Sequence, residues 1–293
     1  MSLFRLIEAE RTRVPVSLAC RVLGVSRSGF HAWRARPPSD RSLTDAWLLE
    51  WIGQIHARSR ETYGVRRIHA ELRHEGVCVG RKRVWRLMRQ AGVSGLVKRR
   101  RGRTTVRVPG VRVASDLVGR DFEPAGPNRL WCADLTYIPT WEGWLYLAFA
   151  VDCYSRAVVG WSMADQLRAE LVLDALEMAV HRRRPEPGLV HHSDQGSQYV
   201  SLVFSQRCRK AGIAVSMGSK GDCFDNAVAE AFIASLKKEL VRRRSFRTRQ
   251  EARSAIFDWI EAFYNPVRLH STLDYLSPLT YERITDQERE TTT

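Results

Sequence analysis

No two cysteines in this chain stand at the C-x-x-C spacing of a zinc or dithiol site, although Cys20, Cys78, Cys132, Cys153, Cys208 and Cys223 are all present. His191 and His192 therefore lack the cysteine pair that would complete a structural zinc site. No apolar run approaches the ~18 residues of a membrane span, and no basic amphipathic anchor stands out. No secretory leader precedes the cysteines. These absences predict free thiols, a cytoplasmic chain and no membrane partner. No internal repeat is evident. Acid is scarce in one region only. Residues 1–124 hold 26 Lys and Arg against 11 Asp and Glu, whereas residues 125–293 hold 21 of each. The whole formal excess of +15 therefore sits in the first two-fifths of the chain. Such asymmetry points to a polyanion, nucleic acid first. The 44% hydrophobic content is enough for packed cores, and 293 residues suit two or three domains.

Residues 14–36 carry two short apolar-periodic segments around Gly24 and Val25, with Ser26 placed as an N-cap. That is helix-turn-helix grammar, and Pro37 and Pro38 close it. A first domain is expected over 1–38 and a second helical domain over 39–95. In the second, helices are expected at about 43–58, 64–75 and from 80. Ile68 and Leu72 stripe the middle helix, and Val84, Leu87 and Met88 stripe the last. That last helix carries Arg81, Lys82, Arg83, Arg86 and Arg89 with no acid among them, so it is the candidate DNA-reading element. Residues 96–124 read as a basic linker. Its run Lys98, Arg99, Arg100, Arg101, Gly102, Arg103 cannot build a core but can follow a phosphate backbone.

From 125 the pattern changes to three strand-like runs at 130–139, 144–151 and 157–163, rich in aromatic and β-branched residues. A helix at 166–184, a strand at 188–193, a helix at 199–211, a strand at 213–217 and a long helix at 223–243 follow. A further helix covers 248–264. This order predicts an α/β domain over 125–245 with a mixed sheet covered by helices, then a C-terminal helix and tail over 246–293.

Three acids sit oddly in that pattern. Asp134 interrupts an aromatic and aliphatic strand, where aspartate is costly to bury. Asp194 ends a strand, at the edge where open sheets collect their sites. Glu230 lies on a helix within ~40° of Asn226 and Lys237, with Val228, Phe232 and Ser235 on the other side. Phosphodiester chemistry develops extra negative charge at phosphorus, and carboxylates holding divalent ions answer it. Lys237 is placed to meet the phosphate. Asp152 reads as a turn-starting residue paired with Arg156 and is left out of the set.

Trp131 to Tyr137 (WCADLTY) resembles the first-aspartate motif of DDE transposases and retroviral-type integrases. His192 to Tyr199 (HSDQGSQY) resembles the second, and Asp225 to Glu230 (DNAVAE) followed by Lys237 the third. Between Asp194 and Glu230 lie 35 residues, the spacing of that superfamily. Tyr264 to His270 (YNPVRLH), with Leu273 and Pro278, resembles the tail motif of OrfB-type transposases of bacterial insertion sequences. The His/Cys zinc domain of retroviral integrases has no counterpart here.

The resemblance covers about 14–285 and implies an RNase H-like five-stranded core with Asp134, Asp194 and Glu230 as catalytic metal ligands. It implies two Mg²⁺ ions per site, Mn²⁺ substituting. It also implies cleavage at element ends, joining of 3′-hydroxyl ends to target DNA, and homo-oligomers on paired inverted repeats. The setting implied is the bacterial nucleoid, with an upstream-frame fusion partner in many members. Two other readings remain open: a non-catalytic DNA-binding regulator derived from a transposase, and a nuclease that cuts without joining.

Overall fold

The computed structural model describes residues 3–96, 116–194, 198–199, 201–218 and 226–292. Lys98, Arg99, Arg100 and Arg101, most of the expected linker, Cys223 and Asp225 lie outside the described residues. The chain divides into two compact units, Met1–Gln54 and Ile55–Thr293.

In the first unit, α1 (Leu3–Glu10), α2 (Val16–Val22) and α3 (Arg27–Ala35) precede α4 (Asp40–Arg58), which runs on into the second. Ile7, Cys20 and Phe30 close a small core, one from each of the first three helices, with Phe4 and Trp33 packed against it. Gly24 turns between α2 and α3 at φ +66°, a conformation that favours glycine. Ser26 then caps α3 by accepting from the Gly29 N–H at 3.2 Å.

The second unit opens with α5 (Val65–His74) and α6 (Arg81–Gln90), which bury Ile68, Leu72, Val84, Leu87 and Met88 as their spacing predicts. Strands β1 (Leu130–Thr140), β2 (Gly143–Asp152), β3 (Val158–Ala164), β4 (Val190–Ser193) and β5 (Ala214–Met217) then form one sheet in the order β3-β2-β1-β4-β5. β1 to β3 are an antiparallel meander, and β4 and β5 run parallel to β1. This is the mixed five-stranded, RNase H-like arrangement the resemblance implies.

Alternation along β1 assigns its two faces. Trp131 and Ala133 join the core that includes Leu171, Val172, Ala175 and Leu176 of α7 (Ala169–Arg183) and Phe204 of α8 (Leu202–Lys210). Gly160 makes this packing possible, because a Cβ there would stand 2.2 Å from the Ala175 carbonyl oxygen. The other face receives α9 (Ala227–Glu239), with Phe232 meeting Phe149 of β2 at 4.4 Å between ring centroids. After α10 (Arg249–Asp258) the helix widens into a π-helical segment, Trp259–Tyr264, where an uninterrupted α-helix is expected to 264. Trp259 and Tyr264 then both reach Phe232. α11 (Pro278–Thr292) closes the chain.

Asp152 differs from expectation. Its carboxylate does not pair with Arg156. It is fully buried and accepts backbone N–H groups from Asn128 at 2.7 Å and Tyr154 at 2.8 Å. Only its main-chain carbonyl meets Arg156, through the Arg156 N–H. It stitches the entry of β1 to the end of β2. Cys20, Cys78, Cys132, Cys153 and Cys208 are free thiols.

His191 of β4 is buried between Tyr199 and Phe204, and burial pulls its pKa down to about 4. The ring is neutral in the folded chain down to about that pH, whereas in the unfolded chain it binds a proton below about 6.5. Its contribution is therefore fully present above pH 6.5 and lost as pH falls toward 4. Replacing it as His191→Phe should flatten the acid side of a stability–pH curve by up to about 1.4 kcal/mol per pH unit in that window. Urea unfolding at a series of pH values checks this, and an unchanged acid slope would contradict it.

Candidate active site

The parallel register of β1 and β4 brings the first two acids together. Leu130 lies opposite Val190, Trp131 opposite His191 and Cys132 opposite His192. Asp134 lies two residues past Cys132 on β1, and Asp194 two residues past His192, directly after the end of β4. Asp134 is itself paired across β2 with Phe149, the residue on which Phe232 of α9 rests. Glu230 projects from the first turn of that helix, where a carboxylate also suits the helix dipole.

Asn226 fixes the start of α9. Its side chain does not cap the helix. It donates instead to the Ala133 carbonyl oxygen at 2.9 Å, next to Asp134. Its own amide oxygen is buried and has no hydrogen-bond partner among the described residues.

Asp134 is partly buried and accepts the Leu135 N–H at 2.7 Å. Its pKa is pushed up to about 7, chiefly by burial and further by the charges of Asp194 and Glu230, against lowering by the Leu135 bond and Lys237. The three acids thus share one electrostatic neighbourhood. Asp194 and Glu230 are exposed. Among the described residues no three His, Cys, Asp or Glu side chains are gathered tightly enough to hold a metal ion. The acids are neighbours without being a closed ligand set.

Lys237, two turns along α9, holds its ammonium 4.9 Å from the centre of the Tyr137 ring. Burial lowers its pKa, Arg242 lowers it further and Asp134 raises it. Sequence reasoning missed Tyr199. It is buried, with its pKa raised well above the ordinary value by burial and then by Asp134 and Asp194. It lies inside the second motif, and the fold packs its ring against His191 and Phe204.

The tail motif is a clamp on α9. The Arg268 guanidinium bonds Glu239 at 2.8 and 2.9 Å and Ser235 at 3.0 Å, all on that helix. Arg67 of α5 stands 3.9 Å from the same Glu239 carboxylate. Asn265 donates to the Val158 carbonyl and accepts the Val158 N–H, holding the start of β3. Tyr63 accepts the Leu269 N–H at 2.7 Å and donates to the Val267 carbonyl at 3.2 Å. The helical domain is in this way tied to the tail.

Of the residues expected to contact DNA, Arg81, Lys82 and Arg86 are exposed on α6 and Arg83 is half-buried beside its apolar stripe. Arg89 stacks on Trp85 at 5.0 Å.

Residues 124–223 and 211–278 of the chain match two integrase core domain families, and residues 42–101 match an HTH-like domain. The chain is 43% identical over 262 residues to the insertion element IS600 uncharacterized 31 kDa protein of Shigella sonnei, covering 89% of this chain and 96% of that one. It is 38% identical over 283 residues to the transposase for insertion sequence element IS629 of the same organism, covering 95% of each. It is 37% identical over 278 residues to transposase InsF for insertion sequence IS3A of Escherichia coli strain K12, covering 94% of this chain and 96% of that one.

The Arg268–Glu239 pair is buried on both sides, at 5% and 6% exposure, so loss of Arg268 leaves the buried Glu239 with only the more distant Arg67, at 3.9 Å. Arg268→Met should destabilise the chain by about 3–5 kcal/mol, and Arg268→Met with Glu239→Leu should recover most of that. Urea midpoints followed by tryptophan fluorescence check the pair. A single variant as stable as the parent would contradict it.

Proposed function

This chain belongs to the OrfB-type insertion-sequence transposases built on an integrase core, and on that premise we propose a DNA strand transferase. It binds the terminal inverted repeats of its element, cleaves strands there and joins the freed 3′-hydroxyl ends to target DNA. One observation carries the reading. Asp134 is drawn up to about 7, first by burial and then by the charges of Asp194 and Glu230, which come from a strand end and a helix to the same neighbourhood. A site built this way has a shortage of positive charge.

Asp134, Asp194 and Glu230 would hold two divalent cations, Mg²⁺ or Mn²⁺ in its place, through hard oxygen ligands. When bound, such ions supply charge stabilisation to the attacking and leaving oxygens of an in-line displacement at phosphorus. The donor chemistry fits, and the unpartnered amide oxygen of Asn226 adds a further acceptor beside the acids. Asn226 holds α9 to β1, so Glu230 stays beside Asp134. The clamp at Arg268 holds the far end of the same helix. Lys237 meets a non-bridging phosphate oxygen. The 3′-hydroxyl oxygen forms its bond to phosphorus as the bond from phosphorus to the target's own 3′ oxygen breaks, with no covalent enzyme intermediate.

Arg81, Lys82, Arg83 and Arg86 of α6 read the element ends, and Lys98, Arg99, Arg100 and Arg101 follow the backbone. Two or more copies assemble on paired ends, in the bacterial cytoplasm on the nucleoid, alone or with an upstream-frame partner. Among the described residues no helix is long and apolar enough to cross a membrane.

The test is incubation of the full chain with Mg²⁺ and labelled duplexes carrying candidate element ends. Joined as well as cleaved products are expected. Asp134→Asn and Glu230→Gln should each lower joining at least about a hundredfold while duplex binding persists. Cleavage without joining would identify a nuclease, binding without products a regulator, and near-parental joining by either variant would remove the assignment.

The two basic clusters should also separate. Arg86→Ala should lower discrimination between end sequence and random DNA by about 1–3 kcal/mol if it reads a base. Neutralising Lys98, Arg99, Arg100 and Arg101 should weaken binding to every sequence alike. Equal, sequence-independent losses from both sets would overturn the recognition role of α6.

A further inference from the structure

A second basic surface lies on α5 and reaches Arg81 at the start of α6. A cavity of about 600 Å³ opens between α5, the start of α6 and the tail turn after the short 3-10 segment Ser271–Leu273. Arg66, His69 and Arg73 line it from α5, Arg81 from α6, and Asp274 with Tyr275 from the tail. The charges are unbalanced in a specific way. Arg67, on the inner side of α5, faces Glu239, and Arg58 and Arg60 nearby face Glu71 and Asp258. Arg66, Arg73 and Arg81 pair with no carboxylate among the described residues. The tail turn has an unusual shape. Asp274 and Tyr275 both take left-handed backbone conformations, at φ 49° and 62°, and the His270–Leu276 bridge fixes them.

We propose that this cleft is a phosphate-binding site that grips the sugar–phosphate backbone of duplex DNA. The inference rests on the reading of the chain as a DNA transposase. Arg66, His69 and Arg73 recur at i, i+3 and i+7, so they form one stripe along two turns of α5. That stripe spans about 10 Å, the axial rise of about three nucleotides and more than one phosphate ion occupies. A strand running along it meets several guanidinium groups in turn. In a helix-turn-helix pair the first helix crosses the backbone while the second enters the major groove. α5 precedes α6 in that relation, so the cleft supplies register and affinity rather than base reading. The tail turn walls the cleft and sets Asp274 at its edge, so the phosphate contacts come from Arg66, His69, Arg73 and Arg81.

The test compares the full chain with Arg66→Gln/Arg73→Gln, both at exposed positions, on duplex DNA of unrelated sequence over a salt series. The expected result is a slope of log affinity against log salt reduced by about 2, at about 0.9 per lost phosphate contact, with an unchanged melting temperature. Arg66→Lys/Arg73→Lys, which keeps the charge, should restore most of the slope. The second arm titrates inorganic phosphate at matched ionic strength, followed by ³¹P line broadening. Phosphate captured by the parent with a DNA slope that the double variant leaves unaltered would overturn the backbone assignment in favour of a free phosphate site. An unchanged slope with no phosphate capture would overturn the site itself. A parent chain that binds no duplex at all would defeat the DNA reading and this cleft together, an outcome distinct from a slope that fails to move.

Discussion

Like charges held close in partly dry surroundings repel, and much of this core can be understood as what it takes to keep three of them together. Two unit charges 4 Å apart interact by about 4 kcal/mol at an effective dielectric near 20. The pKa of Asp134 is raised chiefly by burial and further by its two acidic neighbours. Its position is set by the sheet, where β1 is flanked by β2 and β4 and cannot move aside. Asp194 follows from the parallel register of β4. Glu230 depends on α9, and that helix is fixed at one end by Asn226, in the middle by Phe232 among aromatic rings, and at the other end by Glu239 on Arg268. Acids that repel one another need such a frame.

The distribution of arginines follows a related logic. In the second unit many are consumed internally: Arg183 by Glu282, Arg182 by Glu261, Arg207 by Glu177 and Arg268 by Glu239. That is the structural content of the even charge count after residue 125. The helical domain differs. Several of its cations face outward without a carboxylate, which is what a polyanion partner requires.

Much of this was legible in the sequence, and the reasons differ by element. The strands of the meander, the stripes of α5 and α6 and the cap at Ser26 depend on neighbours within a few residues, so periodicity and capping rules reach them. Asp134 stood out because aspartate in an apolar strand is anomalous. What escaped was non-local. The Asp152 partners lie on Asn128 and Tyr154, where only the turn geometry could show that backbone donors replace Arg156. Of the helix expected over 223–243, the described part is α-helical over Ala227–Glu239 and passes into a 3-10 turn at Val241–Arg243. The π-helical segment after α10 leaves no mark in composition. Glu239 and Arg268 are 29 residues apart, and nothing in either segment announces the other. On α5 the apolar stripe drew attention, while Arg66 and Arg73 on the opposite side became meaningful only when the tail turn stood across from them.

The central claim is that Asp134, Asp194 and Glu230 are one cation-binding centre. The most direct measurement is the location of Mn²⁺ by anomalous scattering in crystals of the full chain bound to an element end. The account predicts anomalous peaks between the three carboxylates, with Glu230 turned toward Asp134. Manganese bound elsewhere, with Glu230 turned away to solvent in a well-ordered α9, would contradict it.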